Sequence, residues 1–357
     1  MKTIIALTLT FLFSFQLSAT SNIESEIEFI KKNSHRVSFE ELKKIQDDRQ
    51  QFEVRDYPNT VVDWRPVEDY AEFKYVLMSS ETGFNEVANL RFAIARNLPE
   101  GTKLVLLVTD SNAEQIRQTY LKYISSDRLI LARDTNIGGA FWARDAFPFP
   151  VINSQKQMSL VSARYYRPFN SATAIARSLN LNMSRNNFTF VGGNLLADED
   201  GICFTIDSER RFTTTESDLR NVYGCKEIKV LRHVSGIGDV DEVMKPVGNK
   251  TIITNTLDYV NDFKAWGYNV IMLPAVLNSY RTYVNSLVVG KTVFMPTYGI
   301  SQDIEAQKIY ESLGYKVVGI KSNTLSDQMH GSVHCQTMAY PDINETTLLN
   351  ALGLERM

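Results

Sequence analysis

From about Asp56 onward the chain alternates short, nearly continuous apolar runs with stretches whose apolar residues recur at helical spacing. Tyr75-Val76-Leu77-Met78, Leu104-Val105-Leu106-Leu107-Val108 and Leu129-Ile130-Leu131-Ala132 read as strands, since unbroken apolar runs suit a sheet covered on both faces. Between them, Phe84 to Asn97 and Ala113 to Ile124 carry the period of helices that bury one side. Alternation of the two patterns predicts an α/β fold. Three segments echo one another: Trp266-Gly267-Tyr268-Asn269-Val270, Leu313-Gly314-Tyr315-Lys316-Val317, and Tyr223-Gly224-Cys225 before Ile228-Lys229-Val230. Each closes a helix with glycine, which takes a left-handed cap without steric cost, and then launches a strand. Their spacing of roughly 45 residues predicts repeated strand-helix units whose loops face a common centre. No Pro- or Ser-rich linker breaks residues 56–357, which read as one domain; residues 20–55, rich in Glu, Lys and Ile at helical spacing, read as a helical preface.

Composition narrows the function classes. Of 357 residues, 44% are hydrophobic and 11% aromatic, enough for a large core. Net charge is −3 with no long run of one sign, so neither nucleic acid nor a lipid surface is indicated as partner, and a small polar or peptide ligand stays open. Residues 1–19 have the layout of a secretory signal peptide: Lys2, an apolar run from Ile4 to Phe15, and Leu17-Ser18-Ala19 at the cleavage point. The mature protein is therefore expected to be secreted or periplasmic, with no membrane association after signal removal. In an oxidising compartment Cys203 and Cys225 could pair and leave Cys335 free, although three cysteines equally allow no bridge.

Five stretches hold residues suited to chemistry. His330-Gly331-Ser332-Val333-His334-Cys335 sets a cysteine behind two histidines, and a thiolate favoured by neighbouring donors is a nucleophile. A buried inert cysteine is the alternative, and a zinc site from His330, His334 and Cys335 lacks an evident fourth ligand. Trp142-Ala143-Arg144-Asp145 places a carboxylate and a guanidinium beside aromatics, either to bind a planar cation or as an Arg144–Asp145 ion pair. Val191-Gly192-Gly193-Asn194 brings backbone within close reach of a ligand or simply bends the chain, ahead of a hairpin turning at Asp198-Glu199-Asp200-Gly201. His233 to Val243 holds a histidine with Asp239, Asp241 and Glu242, able to orient a cation and move a proton, or only to form a solvated acidic loop. Asn285, at the mouth of the apolar run Leu287-Val288-Val289, would be costly to bury unless its amide held a neighbouring loop.

In this order the stretches resemble the guanidine-modifying enzymes of the pentein superfamily, specifically peptidylarginine and agmatine deiminases. Trp142-Ala143-Arg144-Asp145 is similar to their Trp-x-Arg/Gln-Asp motif and Gly192-Gly193-Asn194 to their Gly-Gly-Asn/Ser hairpin. Gly238-Asp239-Val240-Asp241-Glu242-Val243 matches Gly-His-Val-Asp-Glu-Phe, Val284 to Lys291 matches Val-Asn-x-Leu-Val-Leu-Gly-Lys, and the cysteine stretch matches His-Gly-Glu-Val-His-Cys. The resemblance implies a five-fold pseudosymmetric α/β propeller with a central site. It implies Cys335 as nucleophile, Asp145 and Asp241 as a clamp on a guanidinium, and Asn285, Trp142, Arg144, Gly193 and Asn194 as substrate-binding residues. The implied reaction converts a guanidinium, foremost peptidyl-arginine, to a ureido group (citrulline) and ammonia through a cysteine thioether. No cofactor is implied, and calcium dependence is not legible because no EF-hand-like loop is present. The family's acid/base histidine falls at Asp239, so either Asp239 or His233, six residues earlier, would supply the proton. The agmatine-type motif has an acid just before Gly-Gly, where this chain has Val191. Amidinotransfer, agmatine-type deimination and a degenerate guanidinium-binding protein are the alternatives.

Overall fold

A computed structural model describes residues 64–80, 84–134, 140–161, 191–208, 215–278 and 280–357; the expected signal and preface fall outside them. In chain order the strands are β1 (Trp64–Pro66), β2 (Tyr75–Ser79), β3 (Lys103–Val108), β4 (Leu129–Arg133), β5 (Phe149–Asn153), β6 (Met158–Val161), β7 (Leu196–Ala197), β8 (Ile202–Asp207) and β9 (Glu227–Arg232). They continue as β10 (Met244–Pro246), β11 (Thr251–Thr254), β12 (Asn269–Met272), β13 (Leu287–Val289), β14 (Thr292–Thr297), β15 (Lys316–Lys321), β16 (Met338–Tyr340) and β17 (Glu355–Arg356). The helices are α1 (Asn85–Asn97), α2 (Ala113–Tyr120), α3 (Ala143–Ala146), α4 (Glu216–Asp218, running on as a π turn to Tyr223), α5 (Val260–Ala265), α6 (Gln302–Ser312), α7 (Asn323–Met329) and α8 (Glu345–Ala351). None is long and apolar enough to cross a membrane.

The three apolar runs form the parallel core β2-β3-β4 of a five-stranded sheet, with β16 and β17 antiparallel at its edges. Because side chains alternate across a strand, each run supplies both faces. Leu77, Val105, Leu107, Ile130 and Ala132 enter one core, while Val76, Met78, Leu104, Leu106, Leu129 and Leu131 enter the other, together with Trp142, Val333 and Cys335. The end of the chain thus returns beside its beginning, and the segment carrying Cys335 is anchored on that second core.

The remaining strands make four three-stranded sheets, all small and open. Three of them repeat one plan: an antiparallel pair, a helix, and a third strand parallel to the second, in β7-β8-β9, β10-β11-β12 and β13-β14-β15. The glycines of the sequence echo sit at the same joint of each unit, Gly224, Gly267 and Gly314 having φ of 77°, 86° and 86°. A side chain at Gly224 would also run into the Trp64 carbonyl, 2.0 Å from where its Cβ would stand. In this unit the open question of the cysteines is answered: Cys203 of β8 and Cys225 are disulfide-bonded, with Cα atoms 5.6 Å apart. Closing that loop of 22 residues contributes about 3 kcal/mol by restricting the unfolded chain.

The plan decides where chemistry lies. Asp145 stands just before β5, Gly193 before β7, Asp241 before β10, Asn285 before β13 and Cys335 before β16, so every sheet delivers one of these segments at the entry to an antiparallel pair.

Candidate active site

Cys335 follows α7, whose end is turned by His330 in the left-handed conformation at φ 54°. Gly331 comes next, where a Cβ would stand 2.7 Å from the Trp142 ring, so Trp142 packs directly on the backbone of the cysteine segment. Asn285, fully buried, clasps that segment: its Oδ1 accepts from the amides of His334 (3.1 Å) and Cys335 (3.4 Å), and its Nδ2 donates to Cys335 Sγ at 3.1 Å. The Arg144 amide donates to the Cys335 carbonyl at 3.2 Å, tying the α3 segment to the same loop.

Three carboxylates gather around Gly193. Its amide donates to Asp145 Oδ1 at 3.0 Å, and a methyl group on its Cα would stand 3.2 Å from both Asp241 oxygens and 3.3 Å from Asp239 Oδ2. Hydrogen at this position is what lets the acids converge, and the neighbouring Gly192 lies so near the Arg144 carbonyl that a Cβ would clash at 2.0 Å. Asp241 Oδ2 is 3.5 Å from Cys335 Sγ, and its Oδ1 is buried with no hydrogen-bond partner among the described residues. Burial and the negative charges of Asp241, Glu242 and Asp145 push the Cys335 thiol well above its ordinary pKa, against the hydrogen bond from Asn285. These acids and burial favour the thiol, and a cation among the acids would favour the thiolate.

The other residues singled out in the sequence have distinct places. Arg144 and Asp145, adjacent in the chain, do not pair with each other: Arg144 Nη2 donates to Asp69 Oδ1 at 3.2 Å. Asn194 spends its amide on β8, accepting from the Ile206 amide (2.8 Å) and donating to its carbonyl (3.0 Å). His233 is exposed, and its Nε2 faces the carbonyls of Ser235 and Gly236 in its own loop, whereas Asp239 is buried beside Gly193. His330 stacks on Tyr280 at 3.8 Å, and both ring nitrogens of His334 are engaged by carboxylates, which leaves His334 without a nitrogen for zinc.

Sequence reasoning missed Asp69 and Lys245, a buried ion pair behind the site. Neither belongs to a recognisable motif: Asp69 sits among other charges in Glu68-Asp69-Tyr70-Ala71-Glu72, and only Lys245, inside Val243-Met244-Lys245-Pro246-Val247, is a lone charge in an apolar stretch where it must find a partner.

The model of the Porphyromonas-type peptidyl-arginine deiminase family matches residues 75–341, well over half of the chain, and the chain belongs to that family, whose members hydrolyse carbon–nitrogen bonds. Its fold is similar to that of the Enterococcus faecalis agmatine deiminase (TM-score 0.62, 16% identity, 81% of this chain and 99% of that one). It is similar likewise to the Campylobacter jejuni agmatine deiminase (0.60, 15%, 78% and 97%). A Porphyromonas gingivalis protein described as a candidate arginine deiminase aligns at TM-score 0.58 with 20% identity over 78% of this chain and 98% of its own.

Proposed function

We propose that this member of the Porphyromonas-type peptidyl-arginine deiminase family is an exported hydrolase that converts the guanidinium of a peptidyl arginine to a ureido group, citrulline, with release of ammonia. The observation that carries the reading is the convergence of Asp145, Asp241 and Cys335 about Gly193. A planar cation entering this cluster is held by charge-assisted hydrogen bonds that fix its central carbon before the sulfur. Its charge offsets the acids that hold Cys335 in the thiol form, so substrate binding itself promotes the thiolate. The thiolate attacks, one amino group leaves as ammonia once protonated, and water then cleaves the amidino-thioether to restore the thiol. Each step uses groups of the chain and water, so the reading calls for no cofactor.

Of the two proton donors that the resemblance implies, Asp239 is buried at the cluster beside Gly193 and His233 is exposed on its own loop. A peptide substrate is preferred to agmatine because Val191, ahead of Gly192, is apolar and fully buried and offers nothing to a free ammonium. A five-fold pseudosymmetric arrangement of the five sheets, each sending one segment to the centre, is part of the same reading, as is export by the N-terminal signal.

The test is to incubate the mature protein with arginyl peptides, free arginine and agmatine and to measure ammonia together with the ureido product. Equal amounts of both from arginyl peptides are expected. Transfer only to an added amine would mean amidinotransfer, preference for agmatine would move the substrate class, and analogue binding without turnover would mean a degenerate binding protein.

A further inference from the structure

The two carboxylates flanking His334 are not equivalent. Its Nε2 faces Asp69 Oδ1 at 2.9 Å and its Nδ1 faces Asp241 Oδ2 at 2.6 Å, with the ring wholly buried. Asp69, on the loop after β1, also receives Arg144 of α3 and Lys245 of β10. Burial opposes its ionisation, but the charges of His334, Lys245 and Arg144 outweigh that and hold its carboxyl well below the usual range. An ionised Asp69 has no proton to give, so the hydrogen of its contact with the ring belongs to Nε2. With that tautomer fixed, the contact at Nδ1 would set acceptor against acceptor unless a proton lay between Nδ1 and Asp241 Oδ2. The same Asp241 oxygen is 3.5 Å from Cys335 Sγ, and the other is the one without a partner. Ring and sulfur thus meet on one carboxylate oxygen, the backbone amide of His334 is clasped by Asn285, and Asp145 and Asp239 lie against Gly193 beside that carboxylate.

We infer that His334, acting through Asp241, stores the proton that the departing ammonia takes, the task for which this chain has no histidine at position 239. The inference rests on the deiminase reading above. In sequence, the Cys335 thiolate forms the C–S bond to the guanidinium carbon, giving a neutral tetrahedral species. Asp241 Oδ2 passes the shared proton to one amino group, the C–N bond breaks, ammonia leaves, and His334 is left neutral with its hydrogen on Nε2. Water then adds to the cationic amidino-thioether and the C–S bond breaks. Of the two protons released, one returns to the His334–Asp241 pair and the other ends on ammonia as ammonium. Binding of the cation sends the Cys335 thiol proton to solvent and product release brings one back, so the overall change is guanidinium plus water to ureido product plus ammonium, with thiol and proton store restored. Because the imidazole works through Asp241, His334 is a positioning residue; Asp241 is the group that touches the substrate. His233 takes no part, being exposed and bound to its own loop.

The experiment compares His334→Gln and His233→Gln on an arginyl peptide. His334→Gln should lower kcat by about 10²- to 10⁴-fold with KM changed far less, and should remove one limb of the kcat–pH profile. His233→Gln should leave both as in the parent. Wild-type kcat and pH profile in folded His334→Gln, or the loss appearing in His233→Gln instead, would overturn the inference. Should His334→Gln fail to fold, ¹⁵N-histidine NMR of the unaltered protein reads the same feature without turnover. A ring with hydrogen on Nε2 and a strongly deshielded proton at Nδ1 is expected, and a bare Nε2 would overturn it. If the parent releases no ammonia from any guanidine, the deiminase reading fails, and the NMR result still reports whether the store exists.

Discussion

Asp69 and Asp241 grip the two ends of one imidazole, yet their surroundings differ in a way that separates support from chemistry. Asp69 is saturated: His334, Arg144 and Lys245 all donate to it, and every partner is buried. Asp241 accepts from His334 and the cysteine on one oxygen and keeps the other without a partner among the described residues, although a bare buried carboxylate oxygen is expensive. An unpaired acceptor of this kind is retained where a ligand completes it, and the ligand that suits it is a cation with N–H groups. Asp69 is therefore an anchor, and Asp241 is the group that the proposed deimination leaves free for a substrate cation.

Substitution should break the comparison most visibly at the anchor. Asp69→Ala leaves Lys245 and Arg144 buried without their counter-charge and should cost about 3–5 kcal/mol in urea denaturation. The same carboxyl predicts the acid behaviour of the fold. Its folded pKa is depressed below the unfolded value, so its contribution is complete above about pH 4 and is lost as the pH falls toward the folded value. Acid unfolding of Asp69→Asn should accordingly be less steep than that of the parent. At Asp241 the effect moves from stability to binding. Asp241→Asn keeps shape and removes charge, so affinity for an arginine analogue should fall by about 1.5–3 kcal/mol in calorimetry, with Asp145→Asn behaving alike. Asn194→Ala sharpens the contrast at smaller scale: two buried backbone bonds to Ile206 are lost, which should cost about 1–3 kcal/mol of stability while turnover per folded molecule persists.

What the sequence disclosed follows from the range of the forces involved. The runs that became β2, β3 and β4 were visible because burial on both faces demands continuous apolar residues, and the repeat joints because Gly224, Gly267 and Gly314 must take positive φ. Both are local demands written into adjacent residues. The partner of Asp69 was not legible, since Lys245 lies 176 positions away and only folding makes them neighbours. Of the two roles that adjacency left open for Arg144, the ion pair with Asp145 does not form, and its guanidinium donates to Asp69, 75 positions away. Likewise His334 looked like a flank of the cysteine, while its two carboxylates come from segments 93 and 265 positions off.

Central to the proposed reaction is Cys335 as a nucleophile facing a cation held by Asp145 and Asp241. A haloacetamidine-bearing arginine mimic, incubated with the protein and followed by peptide mass spectrometry, tests this directly. The account predicts one stoichiometric adduct on Cys335, formed much faster than with a neutral haloacetamide and suppressed in Asp241→Asn. An adduct on Cys203 or Cys225, or labelling of Cys335 indifferent to the charge of the reagent, would contradict it.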